Sequence, residues 1–107
     1  MEHFTMSNSL LSIIAAPELE DIIVDWLLEQ PFVEGFSSYP INGHGARPEK
    51  LSLAEQVTSR QRKVKFEVNG TDEQIRDTIT SLRKDMGNCD IYFWSTNVND
   101  SGYLCQK

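Results

Sequence analysis

The hydrophobic period of this chain switches from two to about 3.6 twice, each time across a helix-start signal, and few folds accommodate that pattern. The first switch lies in SLLSIIAAPELEDIIVDWLLEQ. Residues 9–16 are an apolar run of strand length, closed by Pro17. Pro17 suits a first helical turn, where its missing N–H is no loss. Glu18, Glu20 and Asp21 follow, where the helix dipole favours negative charge. Leu19, Ile22, Ile23, Trp26 and Leu27 then form an i, i+3, i+4, i+7, i+8 stripe, and Pro31 stops the helix. The second switch begins with Val64, Phe66 and Val68 on one strand face and Lys63, Lys65 and Glu67 on the other. Asn69-Gly70 marks a turn, and Thr71 with Gln74 has capping-box spacing. Ile75, Ile79, Leu82 and Met86 supply the second buried stripe, and Gly87 is a helix stop.

Two further strands complete the order. Residues 35–41 (GFSSYPI) read as a strand in which Pro40 forbids a central position, so it frays there or lies at an edge. Residues 57–68 form the strand that contains Val64, and residues 90–97 (DIYFWSTN) the last one. The order β-α-β-β-α-β predicts an α+β, ferredoxin-like fold, a four-stranded antiparallel sheet with two helices on one face. The domain is expected over residues 9–98, between an N-terminal extension, 1–8, and a C-terminal tail, 99–107. Leu10 and Ile14 oppose Leu11 and Ile13, and Ile91 and Phe93 oppose Tyr92 and Trp94, so the strands are apolar on both faces. So short a chain has little of its own to cover the second face, and a partner subunit in symmetric self-association is the expected cover.

With 107 residues the chain has room for one domain. The net charge of -6 argues against a whole-surface attraction to nucleic acid or anionic lipid. No stretch approaches about 20 apolar residues, so no membrane-inserted helix is expected. MEHFTMSNS lacks the basic and apolar regions of a secretory signal, and a cytoplasmic protein is expected. Cys89 and Cys105 are too few to staple a small secreted domain.

The connection 42–56 (NGHGARPEKLSLAEQ) stands where a short hairpin would suffice, and connections of that length are usually functional or locally folded. Ser52 and Glu55 have capping-box spacing, which predicts a helical turn over 53–57. Gly43 and Gly45 flank His44 and permit close approach of a ligand. Charge is sorted as well: residues 1–35 hold seven acidic residues and no lysine or arginine. Residues 47–65 hold Arg47, Lys50, Arg60, Arg62, Lys63 and Lys65 against Glu49 and Glu55. One reading is that glycine N–H groups and one or two arginines hold a phosphate or carboxylate. The other is a solvated or intersubunit charge cluster facing the acidic first helix. By strand parity Arg62 starts from the face of Val64, so its guanidinium is expected to leave that face and to need a structural partner. Arg60, further out, is the expected ligand contact. His44, with Cys105, is the candidate metal ligand, although His3, His44, Cys89 and Cys105 lack the spacing of a closed zinc set. Cys89 reads as a packed or turn cysteine. The sequence has no nucleophile elbow, HExxH, Walker A or GxGxxG, and an enzyme is not expected.

SLLSIIAAPELEDIIVDWLLEQ, GFSSYPINGHG and LSLAEQVTSRQRKVKFEV together resemble a bacterial family of PII-like proteins with no assigned function. The most specific pieces are Asn42-Gly43-His44-Gly45 and Leu51-Ser52-Leu53-Ala54-Glu55-Gln56-Val57, followed by Arg60 and Arg62, and the resemblance spans about residues 9–98. It implies kinship with the nitrogen regulatory PII proteins and the divalent-cation-tolerance proteins, hence the ferredoxin-like fold and a trimer with inward-facing sheets. Such proteins are often encoded beside heavy-metal efflux transporters, which implies a role near metal export. It implies an intersubunit ligand cleft of Asn42, Gly43, His44, Gly45, Glu55, Gln56, Arg60 and Arg62, and a protein partner engaged through 42–56. Nucleotide binding carries over poorly, because Met86-Gly87-Asn88-Cys89-Asp90 stands in place of the relatives' glycine- and lysine-rich loop and has no basic residue. The expected function is therefore a trimeric regulatory or ligand-sensing protein, with cofactor unknown. The alternative is a metal-binding protein of the cation-tolerance or efflux type.

Overall fold

Leu11, Ile13 and Ala15 are fully buried, and their alternation along the first strand fixes which face of the sheet the helices cover. A computed structural model describes residues 7–44 and 61–105. Its elements are β1 (Asn8–Ala15), a 3₁₀ turn (Pro17–Leu19), α1 (Glu20–Glu29), β2 (Phe36–Gly43), β3 (Gln61–Thr71), α2 (Asp72–Met86) and β4 (Tyr92–Val98). The sheet order is β2-β3-β1-β4 with every neighbouring pair antiparallel, the ferredoxin-like α+β plan. β2 lies at an edge, one of the two places open to Pro40: its missing N–H falls on no central ladder.

The core lies between the sheet and the helices. Leu11, Ile13, Ala15, Val64, Phe66 and Val68 pack from the sheet against Ile23, Trp26 and Leu27 of α1 and Ile75 and Leu82 of α2. Ile22, expected in the α1 stripe, is instead 55% exposed, because the buried arc narrows to Ile23, Trp26 and Leu27. Trp26 Nε1 donates to Asp85 Oδ2 at 2.8 Å and so ties α1 to α2. Trp26→Phe keeps most of the buried area and loses this bond, so urea denaturation should show a stability lower by about 1 kcal/mol.

The start of α2 is fixed by a reciprocal cap. Gln74 N donates to Thr71 Oγ1 at 3.1 Å, and Thr71 N donates to Gln74 Oε1 at 2.9 Å. Asp72 N donates to Ser7 O at 2.9 Å, and Ser9 Oγ donates to Asp72 Oδ1 at 2.5 Å, which anchors the helix to β1. Asn69-Gly70 is therefore not a turn: both residues lie inside β3, opposite Leu10 and Ser9, and the chain passes from strand directly into the capped helix. A Cβ on Gly70 would stand 2.9 Å from Gln74 Oε1, so glycine there leaves room for the capping amide. Thr71→Ala removes one half of the cap and should lower stability by about 1 kcal/mol in the same denaturation assay.

The other boundaries shift modestly. β2 runs over Phe36–Gly43 where 35–41 was expected, and β4 over Tyr92–Val98 where 90–97 was expected. β3 begins at Gln61, and the part of its expected range at 57–60 lies outside the described residues. The second face is mixed: β3 contributes Lys63, Lys65 and Glu67 to it, as its alternation predicts, beside Leu10 and Ile14 of β1.

Candidate ligand site and open sheet face

The β2–β3 ladder ends in the pairs Pro40↔Val64, Ile41↔Lys63, Asn42↔Arg62 and Gly43↔Gln61, and the chain then leaves the sheet. At this end Pro40, Ile41, Asn42 and Arg62 wall an open depression of about 340 Å³. Asn42 and Arg62 stand directly across the ladder from one another, so an amide and a guanidinium share one rim. Such a pair offers several N–H donors and suits a small oxyanion. His44, next to the last residue of β2, is exposed. Arg62 corrects the sequence reading in one respect. It shares the parity of Val64 and Phe66, yet it is exposed, because it lies at the start of β3, beyond the edge of the core that begins at Val64. Its guanidinium therefore leaves the core face, as expected, without being buried within one chain. Gly45, Glu55, Gln56 and Arg60, and the helical turn expected over 53–57, lie outside the described residues.

His44 and Cys105 stand far apart within one chain. Gly43 pairs with Gln61 at the first residue of β3, whereas Asn8 pairs with Thr71 at its last. Those ends are separated by roughly 33 Å at strand rise. Asn8 Nδ2 donates to Ser101 Oγ at 2.8 Å, which holds the tail at the Thr71 end, and Cys105 lies only four residues beyond, a reach of about 14 Å. A metal site that uses both residues requires two chains. Among the described residues no group of three or more His, Cys, Asp or Glu side chains could hold a metal ion. Cys89 is exposed in the turn after α2, at a groove of about 180 Å³ that Leu82, Met86, Ile91 and Phe93 also line.

A charged cluster on the open face escaped the sequence reading. Lys65 Nζ lies 3.5 Å from Glu67 Oε2, 5.9 Å from the Tyr39 ring centroid and 5.3 Å from that of Trp94. Tyr39 OH donates to the same Glu67 oxygen at 3.0 Å. Tyr92 stacks obliquely beside Trp94 at 5.8 Å. Register explains the grouping: Tyr39, Lys65, Ile14 and Tyr92 form one cross-strand row, and Ser37, Glu67, Ser12 and Trp94 the next. The alternation of β3 had put Lys65 and Glu67 on this face, but only the strand order brings the aromatic rings of both edge strands around them.

A family model described as "Protein of unknown function (DUF3240)" matches residues 6–105. The chain belongs to this family. A crystal structure of a DUF3240 protein from Shewanella baltica OS155 is 25% identical, with a TM-score of 0.74 over 94% of this chain and 100% of that one. A nitrogen regulatory PII-like protein, CPII from Thiomonas intermedia K12, solved with ADP, AMP and bicarbonate, is 11% identical, with a TM-score of 0.65 over 92% of this chain and 97% of that one. The divalent ion tolerance protein CutA1 from Ehrlichia chaffeensis is 10% identical, with a TM-score of 0.66 over 92% and 88%. No curated protein matches the sequence. At these identities the PII-like and CutA likenesses establish a shared fold. The DUF3240 chain is thus PII-like in architecture, and among its described residues no helix is long and apolar enough to cross a membrane.

Proposed function

We propose that this DUF3240 protein is a cytoplasmic PII-like regulatory, ligand-sensing protein that acts as a homotrimer and binds a small anion in the cleft between its subunits. The observation that carries this reading is the Asn42–Arg62 rim at the end of the β2–β3 ladder, set over a depression at the point where the chain enters the 45–60 connection. Gly43, His44, Gly45, Glu55, Gln56, Arg60 and Arg62 complete the cleft with Asn42. Anion binding favours one arrangement of 42–56 over another, and so changes which protein partner the connection fits. That shift requires the anion to bind the two arrangements with different affinity. The likeness to a PII-like protein solved with adenine nucleotides and bicarbonate supports an oxyanion as the ligand class. It also supports regulation rather than catalysis.

Thermal melts and calorimetry with bicarbonate, phosphate, AMP and ADP test the reading. An anion at a hundredfold its dissociation constant should stabilise the protein by about 2.7 kcal/mol. Arg62→Ala should remain folded by circular dichroism and lose most of that response. An Arg62→Ala protein with the response of the parent, or a parent with no response to any of the four, removes the site.

The CutA likeness favours a second reading, a metal-binding protein of the cation-tolerance type connected with heavy-metal efflux. His44 of one subunit and Cys105 of another would then supply ligands. Calorimetry with zinc or copper should show weak binding that His44→Ala abolishes, since two such residues form no preorganised set. Equal binding by parent and variant removes His44 from the site.

A further inference from the structure

We infer that Asn42 is a site of spontaneous deamidation, and that its conversion to aspartate or isoaspartate cancels the oxyanion rim; the second half rests on the reading of that rim proposed above. The chain holds two Asn-Gly dipeptides, Asn42-Gly43 and Asn69-Gly70. In such a pair the main-chain nitrogen of glycine, with no Cβ beside it, attacks the asparagine Cγ. The N–H proton is lost, the new N–Cγ bond closes a succinimide, and the side-chain nitrogen leaves as ammonia. Water then adds to either succinimide carbonyl and breaks the ring C–N bond beside it, giving aspartate or isoaspartate. The ring cannot close while the glycine nitrogen is held in an extended ladder, so the fold decides which dipeptide reacts.

The two dipeptides stand in different surroundings. Gly43 is the last residue of β2, and its pairing with Gln61 is the last of the β2–β3 ladder. β2 lies at the edge of the sheet and pairs with β3 alone, and Pro40, two residues before Asn42, contributes no N–H to that ladder. Asn42 itself is exposed. Strand ends held this lightly open at small free-energy cost. Asn69-Gly70 is clamped by the helix that follows it. Thr71 forms the two-way cap with Gln74, and Asp72 N donates to Ser7 O at 2.9 Å. Ser9, which pairs with Gly70, donates its Oγ to Asp72 Oδ1 at 2.5 Å. Freeing the Gly70 nitrogen requires the start of α2 to come apart.

Conversion at Asn42 reverses the chemistry of the rim. The amide supplies N–H donors opposite Arg62, whereas a carboxylate there only accepts. Its negative charge faces the guanidinium across the ladder and repels an arriving oxyanion. Isoaspartate also adds a methylene to the main chain, so the last pairs of the ladder lose their register.

Peptide mass mapping of the protein aged in mildly alkaline buffer tests the inference, with isoaspartyl-specific methylation to detect the product. In denaturant the two dipeptides should convert at similar rates. In the folded protein Asn42 should convert about tenfold faster than Asn69 or more, because opening the clamped pair is the costlier step. Equal or reversed rates in the folded protein overturn the inference. Gly43→Ala should slow conversion at Asn42 without disturbing the fold, since a Cβ there meets Gln61 O at 3.4 Å and Lys63 Cγ at 3.7 Å, ordinary contact distances. A Gly43→Ala chain that converts as fast as the parent overturns the succinimide route. Asn42→Asp reproduces one product directly. It should remain folded by circular dichroism and lose most of the thermal response to bicarbonate and phosphate, whereas Asn42→Gln, which keeps an amide, should retain part of it. A response in Asn42→Asp equal to the parent's overturns the effect on the rim. A parent with no response to either anion removes the proposed site and that effect with it, while the mapping still decides the modification.

Discussion

Phe66→Ala is expected to destabilise the domain more than any other single truncation in the sheet. Phe66 is fully buried at the centre of β3, between Ser38 of β2 and Ile13 of β1 in register, and its ring lies 6.5 Å from that of Phe36. The loss combines the transfer free energy of the ring with a cavity that two central strands cannot collapse to fill. Together these amount to about 3–5 kcal/mol. A domain of this size is stable by only about 5–15 kcal/mol, so the variant should retain a fraction of its margin. The melting temperature should fall by roughly 15–30 °C. Phe66→Leu, which retains much of the volume, should cost about 1.5 kcal/mol or less. The comparison is made at one protein concentration, because the proposed association would add concentration-dependent stability. A Phe66→Ala loss below about 1 kcal/mol would mean that the core is centred elsewhere.

Much of this architecture was legible because each element carries a local signal that tertiary packing did not override. The Thr71–Gln74 spacing became a two-way cap with both hydrogen bonds present, and Pro40 sits on an edge strand, one of the two places open to it. Gly87 does stop α2, though by close approach and not by an unusual backbone angle. Its φ is -66°, and a Cβ there would collide with the Arg83 carbonyl oxygen. Where the reading failed, a long-range pairing had outweighed the local signal. Asn69-Gly70 has the composition of a turn, but β1 begins at Asn8 and pairs with β3 as far as Thr71, so the dipeptide stays in the ladder. Arg62 was read by parity alone. Parity gives the face on which a side chain starts and not how far the helices extend over it, and Arg62 lies at the start of β3, beyond the edge of the core that begins at Val64.

The same limit governs the candidate rim and the Lys65 cluster. The Asn42–Arg62 rim was half legible: both residues stood out in the sequence, but only the ladder register places them opposite one another. The Lys65 cluster was illegible as a cluster. Its members come from β2, β3 and β4, and Tyr39 and Trp94 lie 55 positions apart in the chain. No local period relates them. What brings them together is the 2-3-1-4 strand order, which sets both edge strands within side-chain reach of two rows across the central pair. The charged residues of β3 stand, as its alternation predicts, on the second face among the rings of both edge strands. The face carries the exposed rings of Tyr39, Tyr92 and Trp94 around a polar centre.

On the proposed self-association, Tyr92→Lys/Trp94→Lys should convert the parental oligomer to a folded monomer, the largest change in state expected of any surface substitution. Tyr92 is 67% exposed and Trp94 39%, and both point away from the helix layer, so neither contributes to the buried core. Substitution of both costs the single chain the 5.8 Å ring contact and the Lys65–Trp94 contact, of which each is worth about 1 kcal/mol or less at an exposed site. In the assembly the effect is far greater. Two aromatic groups leave the apolar patch, and two cations enter a face that already holds Lys63 and Lys65 on its central strand. Every copy then presents the same excess of positive charge to its neighbour, and like charges brought together at an interface cost several kcal/mol. Light scattering at micromolar concentration should give three times the 12.2 kDa chain mass for the parent and the single chain mass for the variant. Far-UV circular dichroism should be unchanged between them. A variant that remains at the parental mass would place the self-association surface elsewhere on the molecule. A parent at 12.2 kDa would leave the open face to solvent and remove the intersubunit cleft with it.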